Sequence, residues 1–309
     1  MHPFKEIQQQ VQKVRNKPIN ILKKAALKVL ENPPLFDIEV SSICNLKCSF
    51  CPRHCIKRHN SLMTQEVFDD ILTMIPSNAV VMFAGLGEPL LNINLEHYIK
   101  QLKERKISPC VITNGILLTP ERQLKLIDAG VDQLQISYSS VDSTILRPIL
   151  NTSKHKTVLD KNLGYLSANR SPNLRVQLNF VLTEENEAEW PKVQELAYSW
   201  GFELYNRRVH TRGGHIDKRK KGGIKSSCGI LAGVTFITCD GVILSCSNDV
   251  TQKLAYKQVK GTMWDDIIKW KKSIILNDLN FDPCLSCDDD YRWIILDYQS
   301  VDKRQTCLT

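Results

Sequence analysis

The chain has 309 residues, of which 42% are hydrophobic and 24% charged, and carries a formal net charge of +8. Those values exclude a single small module and a disordered chain, and suit a large α/β domain with an appendage. No apolar run is long enough to span a bilayer, and the opening MHPFKEIQQQ lacks a secretory signal, so a cytoplasmic location is expected. In that setting the eleven cysteines read as metal ligands, reactive thiols or buried small residues rather than a disulfide framework.

Residues 1–36 form a basic arm that includes KPINILKKAALKVL. It is expected to be helical and to pack against the main domain rather than lie on a membrane surface. A second basic stretch, DKRKKGGIK, occupies 217–225. Both read as solvated faces, and with no interleaved aromatics beside them nucleic acid is not an expected partner.

From 37 to 209 strand-like and helix-like periods alternate. FDIEVSSI is followed by TQEVFDDILTMI, with Thr64 as N-cap, then by AVVMFAG and the helix NLEHYIKQLKERK. PCVITN precedes TPERQLKLIDAG, DQLQISYS precedes a helix within KTVLDKNLGYL, and LRVQLNFVLT precedes AEWPKVQELAYSWG; FELYNRRV closes the series. Such alternation predicts parallel strands joined by right-handed crossovers, as an open sheet or an incomplete barrel. Functional groups would gather at the C-terminal strand ends.

The loop after the first strand reads CNLKCSFC and supplies Cys44, Cys48 and Cys51 within eight residues. A four-iron cluster needs a ligand on each iron, so three thiolates leave one iron open for a substrate or cofactor. A structural zinc site would want a fourth protein ligand, for which Cys55 is the nearest choice, but the triplet spacing is unusual for zinc. With an aromatic, Phe50, before the last cysteine, the segment resembles the signature of the radical S-adenosylmethionine (radical SAM) superfamily.

Further segments carry the resemblance in order. GLGEPLL places Leu86, Gly87, Glu88 and Pro89 where that family has Gly-Gly-Glu-Pro, with Leu86 replacing the first glycine. The resemblance implies that this backbone and Glu88 hold the amino group of SAM. Thr113-Asn114-Gly115 resembles the family's turn after the third strand, near the cofactor, and Ser137 resembles the serine that ends the fourth strand and contacts the SAM carboxylate or ribose. Fold and chemistry follow as implications: a partial (β/α)6 TIM-type barrel over 37–212, a SAM-binding [4Fe-4S] cluster, and a 5′-deoxyadenosyl radical that abstracts substrate hydrogen.

A second cysteine set begins at Cys228, passes a hairpin turned at Asp240-Gly241 to Cys246, and ends in DPCLSC with Cys284 and Cys287. Alone it could be zinc, a redox pair or nothing. Its order resembles the twitch domain, a shortened SPASM domain built from a β-hairpin and a helix, here within 213–309. That implies one fully ligated auxiliary [4Fe-4S] cluster suited to electron transfer. Cys55, Cys110 and Cys239 read as buried small residues, with a swap into the ligand set as the alternative for Cys239. Only Cys307 follows the set.

No catalytic acid or base is legible. Arg207 and Arg208 end the last strand and could reach SAM or an anionic substrate, one facing inward and the other outward. Asn179 and Glu184 could contact substrate, while Tyr138, Asp142 and Arg147 could line the mouth. The expected activity is two-electron oxidation of a small molecule with the auxiliary cluster as electron acceptor; the alternative is a peptide or protein substrate. Only about 36 residues precede the first strand, too few for a leader-binding domain, which favours the small molecule. A flavodoxin- or ferredoxin-type protein is the expected electron donor.

Overall fold

The computed structural model of the chain describes residues 3–152, 155–216, 227–277, 279 and 281–297. The basic stretch at 217–225 and Cys307 lie outside them. Six parallel strands follow in chain order: β1 (Leu35–Ile38), β2 (Val80–Phe83), β3 (Ser108–Thr113), β4 (Gln133–Ser137), β5 (Arg175–Leu182) and β6 (Glu203–Arg208). Each pairs with its sequence neighbour, as strand-helix alternation predicts. The crossovers carry α3 (Gln65–Met74), α4 (Leu95–Glu104), α5 (Pro120–Ala129), α6 (Ser143–Leu150), α7 (Lys156–Asn169) and α8 (Trp190–Ser199).

Local chemistry sets several boundaries. Thr64 caps α3 by accepting from the Val67 backbone N–H at 3.4 Å, and Thr119 caps α5 by accepting from Arg122 at 3.3 Å. The sequence reading expected one helix between β4 and β5, but α6 precedes α7. Asp142 starts it by accepting from Thr144 N at 2.7 Å, and Pro148 within it had hidden the helical period.

Alternation divides each strand between two environments. Phe36, Ile38, Val81, Phe83, Leu134, Ile136, Val176 and Leu178 join α3, α4, α5 and α7 in the main apolar core. The residues between them face the other way, into the barrel. That inner face is polar where it includes Asp37, Gln135, Ser137, Gln177 and Asn179.

The sheet does not end at β1. β7 (Val234–Ile237), preceded by α9 (Gly229–Gly233), pairs parallel with β1, and β8 (Val242–Leu244) and β9 (Ala255–Gln258) continue antiparallel, giving a nine-stranded sheet among the described residues. Gly241 makes the expected hairpin turn with φ +83°. The strand β9 was not foreseen, because AYKQ is short and mostly exposed. After it come α10 (Trp264–Leu276), α11 (Asp282–Leu285) and α12 (Tyr291–Asp297).

The N-terminal arm folds as α1 (Pro3–Arg15) and α2 (Ile19–Val29), but not against the barrel as expected. Val14, Leu22, Ala26 and Val29 share a second apolar core with Cys228, Leu231, Ile275, Trp293 and Leu296. Helical spacing gives α2 an apolar face, and that face completes the core around the distal cysteines rather than the main one.

Candidate active site

The cysteine loop leaves β1 at the C-terminal end of the sheet. Its backbone is pinned by Ser49 N donating to Ile149 O at 2.9 Å and Cys51 N donating to Cys48 O at 3.1 Å. Cys44, Cys48 and Phe50 pack against an apolar pad of Leu46, Ile116, Leu146 and Ile149. Burial pushes the Cys44 thiol up and the Cys48 thiol up to about 12. Thiols held this way lose their protons when a metal takes their place, so the donor set fits a cluster that needs three thiolates from one loop.

The GLGEP segment lies directly on this loop. Glu88 N donates to Ile43 O at 2.8 Å. A β-carbon on Gly87 would stand 2.1 Å from Ser41 O and 2.6 Å from Ile43 O, so only glycine allows the approach. The Glu88 carboxylate turns inward: Oε1 accepts from Thr113 Oγ1 at 2.6 Å and Leu90 N at 3.2 Å, while Oε2 accepts from Asn114 N at 2.8 Å. Burial raises its pKa against the pull of those donors. Pro89 follows at the start of a short 3-10 turn, buried. Asn114 in turn donates from Nδ2 to Asn45 Oδ1 at 2.7 Å, so three motif segments form one bonded unit.

The next layer was missed by sequence reasoning. Glu39, with a side chain 0% exposed, pairs with Arg58 and accepts from Leu86 N at 3.0 Å. Arg58 also donates to Cys239 Sγ at 3.1 Å, and the Ser61 hydroxyl lies 3.1 Å from the same sulfur. Thus the GLGEP turn, the stretch after the cysteine loop and the β7–β8 hairpin meet at one buried ion pair. Cys239 serves that contact.

Several proposed mouth residues are placed elsewhere. Tyr138 is fully buried, with its hydroxyl donating to Asp160 Oδ1 at 3.1 Å and accepting from Lys156 Nζ at 2.9 Å. Asp142 is the α6 cap, and Arg147 and Glu184 are exposed. Asn179 does lie within the barrel, between Gln177, which donates to it at 2.6 Å, and Gln135, to which it donates at 3.1 Å. Ser137 is its register partner on β4. Arg207 meets His210 Nε2 at 2.7 Å and stacks 5.5 Å from the Tyr291 ring, while Arg208 grips Asp290 at 2.7 and 2.8 Å.

Residues 38–197, more than half of the chain, match the radical SAM superfamily. The chain belongs to that superfamily. It is 25% identical over 181 residues to the tungsten-containing aldehyde ferredoxin oxidoreductase cofactor-modifying protein of Pyrococcus furiosus, covering 54% of this chain and 48% of that protein. The chain spans about half the length of the curated relatives it matches. Among solved structures, BtrN in complex with AdoMet and 2-DOIA superposes with a TM-score of 0.58 at 19% identity over 83% of this chain and 93% of that one. Streptococcus suis SuiB bound to the precursor peptide SuiA gives 0.64 at 16% identity over 88% and 73%. These likenesses show the radical SAM partial barrel as the fold.

Beyond the radical SAM region, the four distal cysteines converge. The charges of Cys228, Cys287 and Cys284 all bear on Cys246, whose thiol burial pushes well up, and Cys284 and Cys287 rise to about 12 for the same reason. Backbone N–H groups point at two sulfurs, Leu231 N to Cys228 at 3.5 Å and Asn248 N to Cys246 at 3.3 Å. Arg292, 1% exposed, donates to Ser227 O and Cys284 O, both at 3.0 Å, and so ties the two ends of the set together. One buried and three half-buried thiols, two of them with N–H donors, are a donor set that fits an iron-sulfur group.

Proposed function

We propose that this radical SAM enzyme oxidises a small-molecule alcohol by two electrons, with Cys228, Cys246, Cys284 and Cys287 holding an auxiliary [4Fe-4S] cluster in a twitch-like domain over 213–309. The observation that carries the reading is that one sheet bears both cysteine sets: Cys44, Cys48 and Cys51 follow β1, and Cys228 caps the helix that leads into β7, the strand paired parallel with β1. Arg212 reaches toward the distal set, donating to Asn248 Oδ1 at 3.3 Å two residues after Cys246. When bound, the first cluster and SAM together supply a 5′-deoxyadenosyl radical.

The chain's own residues do the rest by placement. Cys44, Cys48 and Cys51 would hold the first cluster, with Phe50 covering it. Glu88 holds Asn114 and the Gly87–Pro89 backbone in register, so their main-chain groups are the contacts offered to the SAM amino group, and Ser137 and Arg207 are the further SAM contacts. The carboxylate of Glu88 accepts from Thr113, Leu90 and Asn114, and its remaining acceptor capacity makes it the side-chain contact for the SAM amino group. Cys228, Cys246 and Cys284 pack on the second apolar core, which limits water around the auxiliary cysteines. An acidic flavodoxin- or ferredoxin-type protein in the cytoplasm fits the basic surface as donor.

A small substrate is the first reading by likeness to BtrN, crystallised with AdoMet and 2-DOIA, which superposes with a TM-score of 0.58. The higher TM-score of 0.64 to SuiB keeps a peptide substrate as the second reading. Anaerobic reconstitution tests both cysteine sets. Wild type should bind about eight irons and a Cys44→Ala, Cys48→Ala, Cys51→Ala variant about four, with 5′-deoxyadenosine made by wild type alone. Loss of all iron from the variant would remove the auxiliary cluster and the oxidation with it.

A further inference from the structure

Taking a hydrogen atom and an electron from an alcohol also requires taking its hydroxyl proton, so the site needs an acceptor inside the barrel. Most buried carboxylates are already committed. Glu39 holds Arg58 and Leu86 N, and Glu88 holds Thr113, Leu90 and Asn114. Asp289 accepts from Asn248 Nδ2 at 3.2 Å and Tyr291 N at 3.1 Å and lies 3.5 Å from Arg207. Glu189 has a free Oε2 but stands at the start of α8, outside the strands, with Oε1 on Asp142 N. His210 is a poor acceptor, since burial in particular drives its pKa down to about 3.

Asp37 differs from all of these. Its Oδ1 is buried and has no hydrogen-bond partner. Phe36 and Ile38 point into the helical core, so Asp37 faces the barrel interior from the strand that joins both halves of the sheet. Leu35, on the same face one step below, packs on the core that contains Cys228, while the loop bearing Cys44 leaves the strand's upper end. Asp37 therefore lies between the two cysteine sets. Arg212, Arg207 and Lys271 face it with positive charge, Cys110 approaches it from β3, and Met82 and Phe236 flank it in register from β2 and β7.

We infer that Asp37 binds the reacting hydroxyl of a compact polyhydroxylated substrate and accepts its proton; this rests on the oxidation proposed above. The chemistry of the interior selects that class. Asp37 and the buried, unpartnered Gln177 Oε1 are acceptors, whereas Arg212 is a donor and Arg207 adds positive charge. A multiply anionic ligand would meet Asp37, and a multiply cationic one would meet the arginines. Hydroxyl groups donate and accept at the same atom and so satisfy both.

The step balances as follows. The carbinol C–H bond breaks, its hydrogen atom passing to the 5′-deoxyadenosyl radical to give 5′-deoxyadenosine. The O–H bond breaks, its proton passing to the Asp37 carboxylate, and the remaining unpaired electron leaves to the oxidised auxiliary iron-sulfur cluster as the carbon-oxygen double bond forms. SAM and alcohol become methionine, 5′-deoxyadenosine, ketone and a released proton, and the electron given up replaces the one that cleaved SAM.

The test uses reconstituted enzyme with SAM, dithionite and carbinol-deuterated myo-inositol, scyllo-inositol, glucose and glucosamine. Wild type is expected to move deuterium into 5′-deoxyadenosine with at least one of them and to form one ketone per deuterium. In Asp37→Asn the ketone formed per deuterium transferred should fall at least tenfold, and Asp37→Glu should recover part of it. In unreduced enzyme, where nothing turns over, Asp37→Asn should bind the same polyol about tenfold more weakly by equilibrium dialysis. Equal ketone yield in wild type and Asp37→Asn overturns Asp37 alone. Deuterium transfer without any ketone in wild type overturns the oxidation itself, and no transfer from any of the four overturns the polyol class. Should Asp37→Asn fail to load iron, Asp37→Ala with added formate replaces it: yield rising with formate supports the proton role, and yield indifferent to formate overturns it.

Discussion

Asn114, at the end of β3, donates a 2.7 Å hydrogen bond to Asn45, the residue after the first cysteine of the loop. Asn114 N also donates to Glu88 at 2.8 Å, so this asparagine is the point where cysteine loop, GLGEP turn and β3 are joined. Asn114→Ala removes the side-chain bond and keeps the backbone one. Iron content should be unchanged, while SAM affinity measured by equilibrium dialysis should fall about two- to tenfold, the range of a neutral hydrogen bond.

Gly87 and Gly164 make a matched pair. The first has backbone oxygens 2.1 and 2.6 Å from where a β-carbon would stand; the second, within α7, has nothing within 4 Å. Gly87→Ala should keep the fold by circular dichroism but lose SAM cleavage by at least tenfold. Gly164→Ala should leave cleavage intact and add about 0.4–1 kcal/mol to stability in urea unfolding.

The Glu39–Arg58 pair is buried on its acidic side, 0% exposed, and half of its role is to hold Leu86 N. Arg58→Ala would strand that carboxylate and cost about 3–5 kcal/mol. Adding Glu39→Gln should recover part of the loss, because the amide needs no counter-charge. A double variant no more stable than Arg58→Ala in urea would count against the pair as the cause.

Asp37 gives a stability signature that needs no turnover. Burial raises its carboxyl from 3.8 to about 7, partly offset by Arg212, Arg207 and Lys271. A raised carboxyl means that the folded state holds a proton the unfolded state releases between those two values. The associated stability is full below the lower value and is lost as pH rises through the upper one. Asp37→Asn cannot ionise, so relative to wild type it should gain stability from pH 4 to pH 7 and hold the gain above it. Urea midpoints of the two proteins that run parallel across that range would contradict the assignment.

How much of this was legible depends on where each residue's partners lie in sequence. The cysteine loop, GLGEP and Thr113-Asn114-Gly115 were readable because each is local, and the parallel order β1 to β6 followed from alternating periods. Asp37 and Glu39 were in plain view as two acids on one face of FDIEV, but one face of a strand says nothing of whether it looks into a barrel or into solvent. Arg58, Arg212 and Arg292 were invisible for a related reason. Their partners lie 19, 36 and 65 residues away at Glu39, Asn248 and Ser227, and no spacing rule reaches that far. The arm was assigned to the wrong neighbour because amphipathic period identifies a buried face and not what covers it.

Arg292 offers the sharpest separation of the two halves of the site. It is 1% exposed, donates to Ser227 O and Cys284 O at 3.0 Å, and stacks 5.2 Å from the Trp293 ring, all within the distal half of the chain. Arg292→Lys keeps the charge but cannot span both carbonyls, since an ammonium lacks the guanidinium fork. The variant should therefore lose the irons held at Cys228, Cys246, Cys284 and Cys287, about half the total, while the first cluster survives and 5′-deoxyadenosine is still made. Under the oxidation proposed here its ketone yield should collapse, because the electron left after hydrogen abstraction has nowhere to go. Iron counted together with 5′-deoxyadenosine and ketone separates the outcomes: full iron with full ketone would show that Arg292 only fills space, whereas half the iron with full ketone would show that the distal cysteines are not the electron acceptor.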